Sequence, residues 1–196
     1  MIEQSLRRYY QSLLVDPSAG YLKAKISPNG VTLLSGLFGF LVLPALWFQQ
    51  TLLAVSLLLI SGYCDTLDGT LARFSQTTSA WGSVLDIMMD RAVEFIVVFA
   101  LWSVAPDDRG FWCLMMLGSM LMCITSFLVV GIFTENNSEK GFHYSPGIME
   151  RAEAFIFFIA MMIWPNVFTI LAALFSLLVF MTAGVRLYQF YIQQKG

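Results

Sequence analysis

Long apolar stretches recurring from residue 31 onward constrain the fold more than any other feature of this sequence. About 20 helical residues are needed to cross the hydrocarbon of a bilayer. Within it, each backbone N–H and C=O must find a partner inside the protein, which a helix supplies. The stretches cover residues 31–48, 52–74, 84–104, 111–133, 148–164 and 167–191. They are separated by Gln49-Gln50, residues 75–79, Pro106-Asp107-Asp108, residues 134–147 and Pro165-Asn166. Composition agrees: 12% of residues are charged and the mean hydropathy is +0.72, where a soluble domain has roughly a quarter charged. The expected fold is all-α, a polytopic membrane protein of six transmembrane helices.

Charge placement tests that number. With six crossings, one side receives Arg7, Arg8, Lys23, Lys25, Arg73, Arg91, Lys140, Arg151, Arg186 and Lys195, and the other only Arg109. The positive-inside rule then puts both termini in the cytoplasm, whereas five or seven crossings would scramble the pattern. Ahead of the first crossing, Ile2, Leu6, Tyr9, Tyr10, Leu13 and Leu14 form an apolar stripe beside Arg7 and Arg8. This reads as an N-terminal amphipathic helix on the membrane surface, not as a cleaved signal sequence. The length suits one domain: a juxtamembrane segment over 1–27 and a six-helix bundle over 28–196. Cys64, Cys113 and Cys123 sit in apolar runs and match no zinc or disulfide spacing. No basic patch of the kind that binds nucleic acid is present.

Chemistry concentrates between Cys64 and Glu94. Asp65 and Asp68 are three residues apart and Asp86 and Asp90 four, so each pair shares a helical face. Both pairs lie at the cytoplasmic ends of apolar helices joined by a short turn, which predicts that four carboxylates converge. Such groups repel one another and resist desolvation; at a membrane boundary they are rare and usually functional. Oxygen donors without His or Cys suit Mg²⁺ or Mn²⁺, and four shared ligands could hold two ions as phosphoryl-transfer sites do. Gly69 and Gly82 permit close approach of a ligand or simply of another helix. Arg73, one turn from Gly69, can fork onto phosphate oxygens.

The pattern Asp65-x2-Asp68-Gly69-x2-Ala72-Arg73-x8-Gly82-x3-Asp86-x3-Asp90 resembles the complete signature of the CDP-alcohol phosphatidyltransferase family, and the hydrophobic layout resembles that family along essentially the whole chain. The resemblance implies phospholipid biosynthesis: transfer of a phosphatidyl group from a CDP-alcohol such as CDP-diacylglycerol to an acceptor hydroxyl, with release of CMP. It implies that Asp65, Asp68, Asp86 and Asp90 hold two divalent metals and that Asp90 is also the general base. Asn29, Gly30, Val31 and Thr32, just before the first crossing, and Gly69, Arg73 and Ser79 correspond to positions that contact the CDP moiety. From the residues alone, Asn29 and Thr32 read equally as a helix start. The resemblance further implies a homodimer in the cell (inner) membrane with its active site at the cytoplasmic face.

Among family members, the chain is most similar to phosphatidylinositol-phosphate synthases. Glu150-Arg151-Ala152-Glu153 and Arg186 match that subgroup's acceptor pocket, although both arginines read equally as membrane anchors. The subgroup's Ser-Tyr-x-Lys-Ala-Arg segment is here Thr125-Ser126-Phe127-Leu128-Val129-Val130, lacking the lysine and arginine. Arg91 stands where phosphatidylglycerophosphate synthases carry lysine. The acceptor, a small polar alcohol or phosphoalcohol, is therefore left open, as are the roles of His143 and the loop over 134–147. Two rivals remain. A prenyltransferase also uses paired aspartates, but in separate halves of a longer chain. A metal-ion or proton transporter would use intramembrane carboxylates, usually with internal repeats.

Overall fold

The computed structural model describes residues 10–23, 25–134 and 147–195. Among these every regular element is helical. The N-terminal stripe up to Tyr9 and the loop that holds His143 lie outside the described residues. The chain divides into two compact units, Met1–Val104 and Ala105–Gly196, each considered by itself.

In the first unit a π-helical turn, Gln11–Val15, runs into α1, Asp16–Leu22. Asp16 and a proline open α1, as a helix N-terminus favours. The α2 helix, Pro28–Phe40, is capped by Ser27, whose Oγ accepts the Gly30 amide at 3.2 Å. The apolar run breaks at Leu41 before resuming as α3, Val42–Trp47. The break has a cause in Pro44, which has no N–H to offer the Phe40 carbonyl and whose ring crowds it. The α4 helix, Thr51–Phe74, and α5, Ala80–Val104, are joined by a short turn, and each packs against α2 and α3.

Both ends that face turns use the same device. Thr77 N–H bonds the Ala72 carbonyl at 3.0 Å and Gln76 N–H the Arg73 carbonyl at 3.2 Å, closing α4 around Gln76 at φ 54°. Gln50 and Gln49 close α3 in the same way, with Gln49 at φ 57°. This left-handed closure usually falls to glycine. Serine then restarts the chain: Ser79 Oγ accepts the Gly82 amide at 3.0 Å at the head of α5.

The second unit contains α6, Pro106–Phe133, α7, Arg151–Ile163, a 3-10 turn at Pro165–Val167 and α8, Phe168–Gln193. Glu150 and Glu153 form a reciprocal capping box at the start of α7. Phe158 and Phe175, both buried, pack between α7 and α8 with ring centroids 5.5 Å apart.

Among the described residues, four segments are long and apolar enough to cross a membrane: Pro28–Trp47, Thr51–Phe74, Pro106–Phe133 and Pro165–Gln193. Large apolar side chains such as Leu52, Phe48 and Ile132 are exposed on them or beside them, as a lipid-facing surface requires. The chain is a multi-pass membrane protein. The other two expected crossings look different. The α5 helix has 25 residues but carries Asp86, Asp90, Arg91 and Glu94. The α7 helix has 13 residues, short of the length a straight crossing takes.

Candidate carboxylate metal centre

The α2 helix packs against both α4 and α5, and its two faces are built differently. Toward α4 it presents Ser35, whose Oγ donates to the Ser61 carbonyl at 2.8 Å while Ser61 Oγ donates to the Ser35 carbonyl at 2.9 Å. Both serines are buried, so these bonds clamp the two backbones where water cannot compete. Toward α5 it presents Gly36 and Gly39. A Cβ on Gly36 would stand 2.5 Å from the Met89 sulfur, and one on Gly39 2.5 Å from Val93 Cγ2. At Gly39 a β-carbon would clash with a branched side chain, so glycine is needed there, whereas at Gly36 the neighbour is the flexible end of a methionine.

That packing fixes the aspartates. Asp65 and Asp68 lie near the end of α4 and Asp86 near the start of α5. A carboxylate oxygen from each of the three lies within 4.8 Å of the others. Asp68 is buried, and its Oδ2 accepts a 2.5 Å hydrogen bond from Thr32 Oγ1 of α2. Asp90 lies one turn beyond Asp86 on α5, half-buried and outside this trio.

The donor chemistry fits a hard divalent cation. The converging atoms are carboxylate oxygens. The adjacent Cys64 belongs instead to the apolar cluster of Val15, Ala19, Val31, Leu67 and Leu71. Three mutually repelling carboxylates at this spacing need positive charge among them, and oxygen-only donors select Mg²⁺ or Mn²⁺ over zinc.

The expected nucleotide residues separate into two kinds. Asn29 and Ser79 approach each other at Gly82: a Cβ there would meet Ser79 Oγ at 3.2 Å and Asn29 Oδ1 at 3.3 Å. The heads of α2 and α5 thus share a polar spot in which a side chain at position 82 would be tightly crowded. At Gly69 a Cβ would have only Arg73 Nη1 within 4 Å, at 3.7 Å, which leaves open space beside an exposed guanidinium. Gly30 and Val31 have structural duties. The Gly30 amide is held by Ser27, and Val31 is buried in the α1–α4 cluster. Thr32 reaches Asp68, so here it orients a carboxylate.

The acceptor residues of the sequence analysis lie in the second unit. Arg186 is buried; its Nη1 donates to the Cys123 carbonyl at 3.0 Å and Ser126 Oγ at 3.1 Å, with the guanidinium 5.2 Å from the Phe127 ring. Arg151, the first residue of α7, stands 5.2 Å from the Phe155 ring.

Sequence reasoning passed over Ser35, Ser61, Gly36, Gly39, Gln11 and Thr70. The small residues at spacings of three and four in α2 carried a detectable signal. Gln11 did not, because its partner Thr70 lies 59 residues away.

A sequence model for CDP-alcohol phosphatidyltransferases matches residues 25–183. The chain is 29% identical over 181 residues to the Escherichia coli inner membrane protein YnjF, covering 89% of this chain and 87% of that one. It is 28% identical over 163 residues to the phosphatidylinositol phosphate synthase of Streptomyces avermitilis, 80% of this chain and 64% of the relative. Two crystal structures of the Mycobacterium tuberculosis phosphatidylinositol phosphate synthase share the fold. One, in complex with manganese and citrate, has a TM-score of 0.74 at 20% identity over 91% of this chain and 89% of that one. The other, with CDP-DAG bound, has a TM-score of 0.75 at 21% identity over 91% and 94%. A family match over this span, on a chain whose acidic cluster suits a divalent cation, favours a phospholipid-synthesising transferase over a transporter or a prenyltransferase. The chain belongs to the CDP-alcohol phosphatidyltransferase family.

Proposed function

We propose that the chain transfers the phosphatidyl group of CDP-diacylglycerol to the hydroxyl of a small polar alcohol or phosphoalcohol, releasing CMP. The observation that carries this reading is the approach of Asp65, Asp68 and Asp86 to within 4.8 Å, inside the full eight-residue signature of the family. Asp65, Asp68, Asp86 and Asp90 would hold two Mg²⁺ or Mn²⁺ ions. When bound, such ions neutralise pyrophosphate charge and favour departure of the nucleotide phosphate.

The chain's own groups do the rest. Arg73, beside the open space at Gly69, grips donor phosphate oxygens with a guanidinium fork. Asn29, Ser79 and Gly82 shape the polar spot that receives the nucleotide, bounded by Gly30, Val31 and Thr32 at the head of α2. Asp90 takes the proton from the acceptor hydroxyl as its oxygen attacks the β-phosphorus. The bond from that phosphorus to the bridging oxygen breaks, and the electron pair leaves on CMP. Arg151 and Arg186 bind the acceptor. The names of the relatives support an inositol phosphate as the first candidate, although residues 125–130 lack the basic pair expected of that subgroup.

The same reading makes residues 1–196 one catalytic membrane domain with an interfacial helix over 1–27. The domain crosses the bilayer six times, places both termini and the site at the cytoplasmic face of the inner membrane, and pairs as a homodimer. The ten-to-one split of basic residues supports the topology.

The test is CMP release from CDP-diacylglycerol by the purified full chain, with and without Mn²⁺ or Mg²⁺. The acceptor panel comprises glycerol 3-phosphate, inositol, inositol phosphate, serine and choline. Metal-dependent CMP production with one acceptor is expected, and Asp90→Asn should nearly abolish it while the variant still binds the donor lipid. No turnover with any acceptor would sink the transfer reading; an active Asp90→Asn enzyme would remove the base assignment alone.

A further inference from the structure

The hydroxyl of Thr70 is fully engaged. It donates to the Thr66 carbonyl at 3.0 Å and accepts from Arg73 Nη2 at 3.0 Å and Gln11 Nε2 at 2.7 Å. Thr70 is 1% exposed, so its own hydroxyl is shielded from water on the helix side. Gln11 is equally committed, with Nε2 also donating to Asp16 Oδ1 at 3.1 Å. A polar seam therefore runs from Asp16 at the head of α1, through Gln11 and Thr70, to the guanidinium of Arg73. Beside it, the Tyr63 hydroxyl donates to Ser18 Oγ at 2.6 Å.

Thr66, Thr70 and Arg73 lie four and three residues apart, on one stripe of α4. Asp65 and Asp68 lie on another, and Cys64, Leu67 and Leu71 pack with Val15 and Ala19 of the N-terminal segment. The segment thus meets α4 on a face that carries no metal ligand, yet touches the residue that sets Arg73.

We infer that Thr70 and Gln11 are positioning residues for the donor phosphates: the N-terminal segment, through them, fixes the orientation of Arg73. The inference rests on the reading that Arg73 binds the CDP moiety. An arginine side chain loses much rotamer freedom on binding. One held in advance by a buried acceptor loses less at that moment, so donor affinity should depend on the seam.

The experiment measures KM for CDP-diacylglycerol, KM for the acceptor and kcat in proteoliposomes for Thr70→Val, Thr70→Ser, Gln11→Leu, Arg73→Ala and the Thr70→Val/Arg73→Ala double variant. Thr70→Val keeps the side-chain shape and deletes the hydroxyl. It should raise the donor KM by about three- to ten-fold, the weight of one or two hydrogen bonds, with kcat and acceptor KM within about two-fold. Thr70→Ser should restore the donor KM. Gln11→Leu, which removes the second partner of the Thr70 hydroxyl, should shift it in the same direction. In the Arg73→Ala background Thr70→Val should add nothing. Additive effects, or equal changes in both KM values, overturn the positioning role while leaving Arg73 in the donor site. An Arg73→Ala enzyme with unchanged donor KM overturns the Arg73 reading, and the inference with it.

Discussion

Alanine at Gly39 tests whether the α2–α5 approach governs the metal centre. The new methyl would stand 2.5 Å from Val93 Cγ2, 2.8 Å from Cγ1 and 3.1 Å from Cβ. Val93 is fully buried and β-branched, so its rotamer is locked in the helix and the strain must be relieved by moving the helices apart. Overpacking of this kind costs about 1–3 kcal/mol. Gly36→Ala provides the internal control. Its methyl would meet the Met89 sulfur at 2.5 Å but Cγ and Cε at 3.5 and 3.8 Å, and a methionine can swing clear at small cost. Removing glycine from a helix returns up to about 1 kcal/mol in either variant. Gly36→Ala should therefore be near neutral, and Gly39→Ala destabilised by up to about 2 kcal/mol. At about 2–4 °C per kcal/mol for a chain of this size, thermal unfolding in detergent should separate them by several degrees. Asp90 lies three residues and Asp86 seven residues from Val93 on the same helix, so Gly39→Ala should also raise the Mn²⁺ concentration giving half-maximal CMP release. Adding Val93→Ala, which removes the two closest carbons, should recover much of both losses. If Gly39→Ala unfolds and titrates with Mn²⁺ like Gly36→Ala, close packing does not set the carboxylates and the reasoning fails.

The remaining expectations are briefer. Thr32→Val removes the only side-chain hydroxyl bonded to Asp68 among the described contacts. It should weaken Mn²⁺ activation by about ten-fold, as loss of outer-shell support does, with a smaller change in donor KM; the reverse order would return Thr32 to the nucleotide. Gln76→Gly relieves a side chain held at φ 54° and should raise the unfolding temperature by about 2–4 °C, given about 1 kcal/mol of left-handed strain. Arg151→Ala should raise the acceptor KM more than the donor KM, and equal rises would mark it as an anchor.

Much of this arrangement is legible in the sequence. Spacings of three and four within the two aspartate pairs put each on one helix face, and apolar runs mark α4 and α5 to within a few residues. Two physical effects hid the rest. Helix ends set by Schellman closures at Gln49 and Gln76 lack the usual glycine, so neither turn announced its geometry. The six expected crossings rest on apolar runs and on charge placement; among the described residues four such helices are present, while α5 mixes four charges into an otherwise apolar helix and α7 has 13 residues. Thr32 reads from its type as a polar residue at a helix start and by resemblance as a nucleotide contact; its bond to Asp68 was hidden because that acceptor lies 36 residues away.

The way three helices share the work explains why carboxylates can gather here at all. Bringing Asp65, Asp68 and Asp86 within 4.8 Å is unfavourable without a cation, since like charges at such distances repel by several kcal/mol in a protein-like dielectric of about 20. The scaffold must hold them regardless. It does so through contacts with no charge of their own: the reciprocal serine bonds on one side of α2 and the two glycine contacts on the other. These neutral contacts do not change with protonation or screening, so the cluster can stay assembled while empty. A divalent ion then gains the full attraction of preplaced oxygens. Disrupting the serine clamp with Ser61→Val should therefore weaken Mn²⁺ activation even though that side chain lies one full helical turn from Asp65, and high salt should not restore it. Restoration by salt would mean instead that repulsion, not packing, limits assembly of the centre.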